Sequence, residues 1–128
     1  MPGERKIVHA PAAPPAVGPY SHAVAAAGLL FCSGQIPLDP DSGELVGDTP
    51  AEQARRCLQS LQAVCAAADT SLSRAVRLTI YTTDLGAFAE INAAYGEFFA
   101  QDPPARAAVG VAALPKGALV EIDAIVAL

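Results

Sequence analysis

The chain has few of the residues on which several large classes of protein depend. Its 128 residues include no tryptophan and only 5% aromatic side chains, and eight Lys or Arg stand against 13 Asp or Glu. The formal net charge of -5 argues against a protein that binds the phosphate backbone of a nucleic acid, because such binding requires clustered basic side chains. The sequence therefore predicts no nucleic-acid partner.

Long apolar runs, a secretory leader and paired cysteines are also missing. No segment approaches the roughly 18 apolar residues that a membrane span needs. The first residues, MPGERKIVHAPAAPP, are charged and then rich in proline, unlike a signal peptide. Cys32, Cys57 and Cys65 form no CxxC pair, and their odd number favours free thiols in a reducing compartment. We therefore expect a cytoplasmic protein without a membrane partner.

Apolar side chains, by contrast, are plentiful. They make up 52% of the residues against 16% charged ones, which is enough to build the core of one domain over residues 1–128. Thr49, Pro50 and Glu52 predict the start of a first helix with a capping box, and Asp84 is the expected cap of a second. Each helix is predicted to have one apolar face, formed by Ala54, Leu58, Leu61 and Cys65 on the first and by Phe88, Ile91, Tyr95 and Phe98 on the second. In the strand RAVRLTIYTT, Val76, Leu78 and Ile80 are expected to face the core. Apolar periodicity predicts strands at RKIVHA, SHAVAAAG, LLFCSGQI, RAVRLTIYTT, ARAAVGVAAL and ALVEIDAIVAL.

The predicted order β-β-β-α-β-α-β-β is an α+β fold in which two helices cover one face of a sheet. The other face is expected to be apolar, from residues such as Val109 and Ile125, so it needs a partner subunit. If the last two strands form a hairpin around Pro115 to Gly117, Arg106 and Glu121 lie roughly 17 Å apart along the strands. They would then meet only between subunits.

Two charged residues stand in otherwise apolar strands and are the main candidates for chemistry. Arg106 offers a planar fork of donors suited to a carboxylate, and Glu121 has the carboxyl group that acid–base chemistry requires. An edge arginine reaching solvent, a helix-bound Asn92 with a structural hydrogen bond and a solvated or paired Asp123 are the plainer interpretations. The two histidines lack the spacing of a metal site and are expected at the surface.

Five segments together resemble a known family. They are GPYSHAV, FCSGQIPLDP, INAAYGEFF, PPARAAV and LPKGALVEIDAIV, and their order and spacing resemble the RidA (YjgF-type) family of reactive imine deaminases. The resemblance implies a chorismate-mutase-like mixed sheet, a homotrimer with sites between subunits, and no metal or other cofactor. It also implies a small carboxylate substrate, since the family hydrolyses 2-imino and 2-amino-enoic acids such as 2-iminobutanoate and 2-iminopropanoate to 2-keto acids and ammonia.

The resemblance also implies a set of site residues. Arg106 and Glu121 correspond to catalytic positions, with Arg106 also holding the substrate carboxylate. The remaining substrate-binding positions are Tyr20, Ser33, Gly34, Asn92 and Ala108. Ala108 is a departure, because deaminating members commonly have cysteine there.

Two other functions compete with deamination. A catalytically weak trimer that binds or senses a metabolite is favoured by Ala108 and disfavoured by Glu121. RNA cleavage or inhibition of translation, which is also associated with the family, is disfavoured by the acidic charge.

Overall fold

The described residues form a six-stranded sheet with two helices. The computed structural model describes residues 3–128, so the predicted domain 1–128 includes two residues outside this range. The strands are β1 (Lys6–Val8), β2 (Ala23–Ala26), β3 (Leu29–Gln35), β4 (Ala75–Thr82), β5 (Ala105–Gly110) and β6 (Val120–Ala127). Helix α1 (Pro50–Ala67) connects β3 to β4, and helix α2 (Phe88–Gly96) connects β4 to β5. The predicted order of elements is confirmed.

The strands lie in the order β1-β2-β3-β6-β4-β5. All neighbours are antiparallel except β4 and β5, which are parallel, so the predicted mixed sheet is confirmed. A parallel pair cannot be joined by a tight turn, and α2 supplies the crossover between them. Both helices pack on the face that carries Leu78, Ile80 and Ile122, each of which is fully buried. The predicted α+β fold is therefore confirmed.

Helix α1 begins where the sequence predicts. The Thr49 hydroxyl accepts a hydrogen bond from the Glu52 backbone N–H at 3.2 Å, and Pro50 occupies the first turn. The Glu52 carboxylate accepts from the Asp48 N–H at 3.3 Å, one residue before the position of a standard capping box. The predicted apolar stripe is confirmed by full burial of Ala54, Leu58, Leu61 and Cys65.

Helix α2 begins later than its predicted cap. Asp84 accepts a hydrogen bond from the Gly86 N–H at 3.0 Å and so caps a short 3-10 turn, Leu85–Ala87, that precedes the helix. Ile91 and Tyr95 of the predicted apolar face are buried. A second local difference is Val76, which was expected inside but is 48% exposed, because the β4–β6 register shifts between Ala75 and Arg77.

The predicted hairpin of the last two strands is wrong, because β4 lies between β5 and β6. The physical reason is burial. Every second residue of β6 from Val120 to Val126 is at most 2% exposed, which requires a neighbour on both sides. Strand β5 is mostly exposed and takes the edge.

The sheet face without helices, here called the open face, is only partly apolar. Ile7, Phe31 and Val109 lie on it with exposed fractions of 52%, 43% and 41%. The adjacent interior strands β4 and β6 carry polar and charged side chains on this face: Arg77, Thr79, Tyr81, Glu121 and Asp123. The expectation of a wholly apolar second face is therefore wrong.

Candidate functional site

Four of the predicted site residues line one cavity on the open face. The cavity has a volume of about 250 Å³. Its walls are formed by Val17, Tyr20, Ser33, Gly34, Ile36, Pro115 and Glu121. Strands β3 and β6 supply its floor, and the loop before β2 supplies a wall. This is the size of a pocket for a small molecule rather than for a polymer.

Glu121 presses directly onto Gly34. A methyl group built on Gly34 would overlap the Glu121 Oε2 atom and would lie 3.0 Å from its Cδ. The β3–β6 register shifts between Cys32 and Gln35, and this irregularity brings the glycine backbone up to the carboxylate. The φ angle of Gly34 is not in the left-handed region, so backbone conformation does not require glycine here. Glycine is needed because a Cβ atom would not fit beside the carboxylate.

The surroundings of the Glu121 carboxyl favour its protonated form. Burial raises the pKa of Glu121 above its ordinary value, and the negative charge of Asp123 raises this pKa further. A half-buried carboxyl with a raised pKa is suited to act as a general base and then as an acid.

The two hydroxyl groups of the cavity already have partners, which restricts what each can offer a ligand. The Ser33 hydroxyl donates to the Ser21 carbonyl at 2.6 Å, so it can only accept from a bound water or amine. The Tyr20 hydroxyl accepts from the Val17 N–H at 3.1 Å, so its own proton is available to a carboxylate or water. Ser33 can therefore accept a hydrogen bond from a ligand, whereas Tyr20 can donate one.

Arg106 and Asn92 lie beside a second cavity, of about 440 Å³. Arg106 Nη1 donates to Asn92 Oδ1 at 2.7 Å, and the guanidinium lies over the rings of Phe88 and Tyr95, at 5.3 and 4.8 Å from their centroids. Asn92 is thus a partner of the arginine, and the remaining guanidinium N–H groups can still form a fork. Sequence reasoning assigned Phe88 and Tyr95 to packing alone; their spacing around Asn92 on one helix face was the available signal.

The two cavities lie on opposite faces of the sheet. Arg106 is the register partner of Leu78, so its side chain is on the helix-covered face at the edge, with Ala108 on the same side. Glu121 pairs with Tyr81 and is on the open face. The two groups are about 10 Å apart along the strands and about 10 Å across them. Arg106 and Glu121 of one chain are therefore not brought together, as expected. The cause is their position on opposite faces of the sheet and not the predicted hairpin.

The histidines take no part in either cavity. His22 is 4% exposed, so its expected surface position is wrong. Its Nδ1 accepts from the Ala10 N–H at 3.0 Å and its Nε2 donates to the Pro14 carbonyl at 2.8 Å, which fixes the proline-rich loop. His9 is exposed as expected. Within residues 3–128, no group of three His, Cys, Asp or Glu is placed to hold a metal ion, and no helix is long and apolar enough to cross a membrane.

Comparison with known proteins identifies the family. A family model described as Endoribonuclease L-PSP, which covers the RidA and YjgF proteins, matches residues 10–128. The chain belongs to this RidA family. The resemblance predicted from GPYSHAV, CSGQIP and the other segments is thereby confirmed.

Individual relatives extend over almost the whole RidA-family chain. RutC family protein y4sK of Sinorhizobium fredii is 53% identical over 116 residues, covering 91% of this chain and 92% of that protein. Human 2-iminobutanoate/2-iminopropanoate deaminase is 40% identical over 121 residues, covering 94% and 88%. The crystal structure of E. coli TdcF with bound serine has a TM-score of 0.91 and 40% identity, covering 96% and 98%.

Proposed function

We propose that this RidA-family protein hydrolyses reactive 2-imino acids, and the 2-amino-enoic acids that tautomerise to them, to 2-keto acids and ammonia. The proposed substrates are 2-iminobutanoate and 2-iminopropanoate, and no metal or other cofactor takes part. The observation that carries the proposal is the half-buried Glu121 carboxyl held against Gly34 in a small cavity. Relatives named as deaminases support it, and three buried free thiols support a cytoplasmic location.

The proposed chemistry uses Glu121 twice. Its carboxylate accepts a proton from a water molecule as the water oxygen attacks C2 of the imine, which gives a tetrahedral carbinolamine. The protonated Glu121 then gives that proton to the nitrogen, which makes the carbinolamine neutral. The Glu121 carboxylate next takes the hydroxyl proton of the carbinolamine and passes it to the same nitrogen as the C–N bond breaks, so ammonia leaves as the C=O bond forms. One water is consumed for each ammonia released, and Glu121 ends as it began. The Tyr20 hydroxyl proton is free to orient the attacking water.

Arg106 is proposed to come from a neighbouring subunit. A substrate of a few atoms cannot touch both faces of one sheet, so its carboxylate would bind Arg106 of one chain while its C2 atom faces Glu121 of the next. Asn92, Phe88 and Tyr95 would hold the guanidinium fork in place. The exposed apolar side chains of the open face, including Phe31, support assembly into a homotrimer.

Hybrid trimers test this arrangement. Arg106→Ala and Glu121→Ala proteins, each inactive alone, are mixed, dissociated and reassembled. In a cyclic trimer every hybrid has a single junction that unites an intact Glu121 with an intact Arg106, so random mixing at equal amounts should restore roughly a quarter of wild-type activity. Each variant taken alone through the same cycle is the control. Hybrids that are seen by native mass spectrometry but stay inactive would contradict a shared site.

A binding or regulatory trimer with little catalysis is the second candidate, and Ala108 is the observation that favours it. If the family's cysteine contributes a thiol, alanine on the Arg106 side of the sheet removes it. The discriminating experiment measures keto-acid release from 2-iminobutanoate generated in the cuvette. Calorimetric binding of 2-oxobutanoate without any acceleration of imine hydrolysis would favour this candidate.

Nucleic acid is not proposed as a partner, although the family description names an endoribonuclease. The net charge of -5 opposes contact with a phosphate backbone. Incubation of the purified protein with a mixed-sequence RNA should leave the RNA intact. Cleavage that is lost in a matched inactive variant would overturn this expectation.

A further inference from the structure

A tyrosine and an aspartate lie beside Glu121 on the open face. Asp123 follows Glu121 by two residues on β6, so both side chains project from the same face, about 7 Å apart at the backbone. Tyr81 of β4 is the register partner of Glu121. Its hydroxyl reaches diagonally along the sheet and donates to Asp123 Oδ2 at 3.0 Å.

The hydrogen bond gives Asp123 a fixed position. Tyr81 lies opposite Glu121 in the neighbouring strand β4. Its hydrogen bond therefore holds the Asp123 side chain on the same side of the sheet as the Glu121 carboxyl and close to it. Asp123 is half-buried, so water screens its charge less than it would on an exposed loop. The titratable or charged groups on neighbouring elements include Tyr20 in the loop before β2, Cys32 of β3, Cys57 of α1, Arg77 of β4 and Lys116 in the turn before β6. Cys32 pairs in register with Ala124, so its side chain lies on the helix-covered face.

Among these groups, Asp123 is the one that places a negative charge beside Glu121. Lys116 turns away and donates to the Gly43 carbonyl at 2.9 Å. Arg77 pairs in register with Ile125, four residues from Glu121 along β6. Cys57 is buried under the helix-covered face, where burial raises the pKa of its thiol and keeps it neutral.

We propose that Asp123, held by the Tyr81 hydroxyl, is a positioning residue whose charge strengthens Glu121 as the base of the reaction. The proposal rests on the proposed deaminase function. A neighbouring negative charge opposes ionisation of a carboxyl, so the Glu121 carboxylate takes a proton from water more readily. The raised pKa of Glu121, caused first by burial and then by Asp123, agrees with this arrangement.

The test replaces Asp123 by Asn, which keeps the shape and removes the charge. The pKa of Glu121 should then fall, as read directly from the carbon chemical shift of its carboxyl during a pH titration. In the kcat/KM profile the acid limb should move to lower pH. The plateau should fall by less than about tenfold for each pKa unit lost, because only part of the proton affinity is expressed in the transition state.

A second variant and a control separate charge from structure. Tyr81→Phe should shift the titration in the same direction by a smaller amount, since it releases Asp123 without removing its charge. Asp41→Asn, in an exposed loop, is the matched control and should change neither quantity.

The titration distinguishes failure of this inference from failure of the proposed function. An unchanged Glu121 titration in Asp123→Asn overturns the role of Asp123 even if the wild type is an active deaminase. A shifted Glu121 titration in Asp123→Asn, together with a wild type that lacks deaminase activity, overturns the proposed function, and with it the assignment of Glu121 as a reaction base.

Discussion

Replacing Gly34 by alanine should separate activity from stability. The added methyl would overlap Glu121 Oε2, so the carboxylate must retreat by about 1 Å, a displacement that can cost 10²-fold in rate when the moved group does the chemistry. The clash is with the end of a flexible side chain and not with backbone. We therefore expect kcat/KM for 2-iminobutanoate to fall about 10²-fold.

The same substitution should hardly change the free energy of unfolding. A strained Glu121 rotamer costs about 0.5–1.5 kcal/mol. Alanine in place of glycine at an ordinary φ angle gains about 0.4–1 kcal/mol by restricting the unfolded chain. The two effects nearly cancel, so denaturant unfolding should differ from wild type by less than about 1 kcal/mol.

The assay pairs initial rates of keto-acid release with urea unfolding followed by circular dichroism. Gly86→Ala is the matched control, since its methyl would also meet a carboxylate, at 3.0 Å from Asp84 Oδ1, but outside both cavities. Wild-type kcat/KM in Gly34→Ala would refute the claim that Glu121 acts from its position against Gly34. A loss of more than about 2 kcal/mol would show that backbone, and not the side chain, gives way.

Three further predictions concern the same site. Arg106→Lys keeps the charge but loses the fork, so KM for the imine should rise about 10- to 100-fold with little change in unfolding free energy; unchanged kinetics would make the arginine structural. Treatment with a chelator should leave keto-acid release unaffected, whereas loss that is restored by added metal would contradict a metal-free reaction. Glu121→Gln should abolish activity yet stabilise the fold at neutral pH. Because the folded pKa is raised above the ordinary 4.5, ionisation of Glu121 costs stability increasingly as pH rises from 4.5 to the folded pKa. In urea unfolding, the stability gain of the Gln variant should therefore be full at neutral pH and vanish below pH 4.5.

Local rules predicted most of the elements, and long-range pairing was the part they missed. The start of α1 followed from Thr49, Pro50 and Glu52, because a cap is a contact between near neighbours. Strand β4 lies between β5 and β6 because β6 buries one whole face and needs a neighbour on each side. The short connection between β5 and β6 in the sequence instead suggested that these two strands pair with each other, which was wrong.

The candidate site shows the same division. Motif resemblance predicted Tyr20, Ser33, Gly34 and Glu121, and the fold gathers them around one cavity. The separation of Arg106 from them was expected from a hairpin but arises from opposite sheet faces. The ring contacts to the guanidinium and the Tyr81 bond to Asp123 require a side chain of one element to reach another, which no single periodic pattern encodes.

The placement of two half-sites on opposite sides of one sheet has a consequence for mass action. Under the proposed arrangement each subunit belongs to two reaction centres, so an isolated chain is inactive. Activity per chain then rises with protein concentration until assembly is complete. A chain that has lost both Arg106 and Glu121 is expected to be dominant-negative. One such subunit in a trimer inactivates the two sites to which it contributes and leaves one active site.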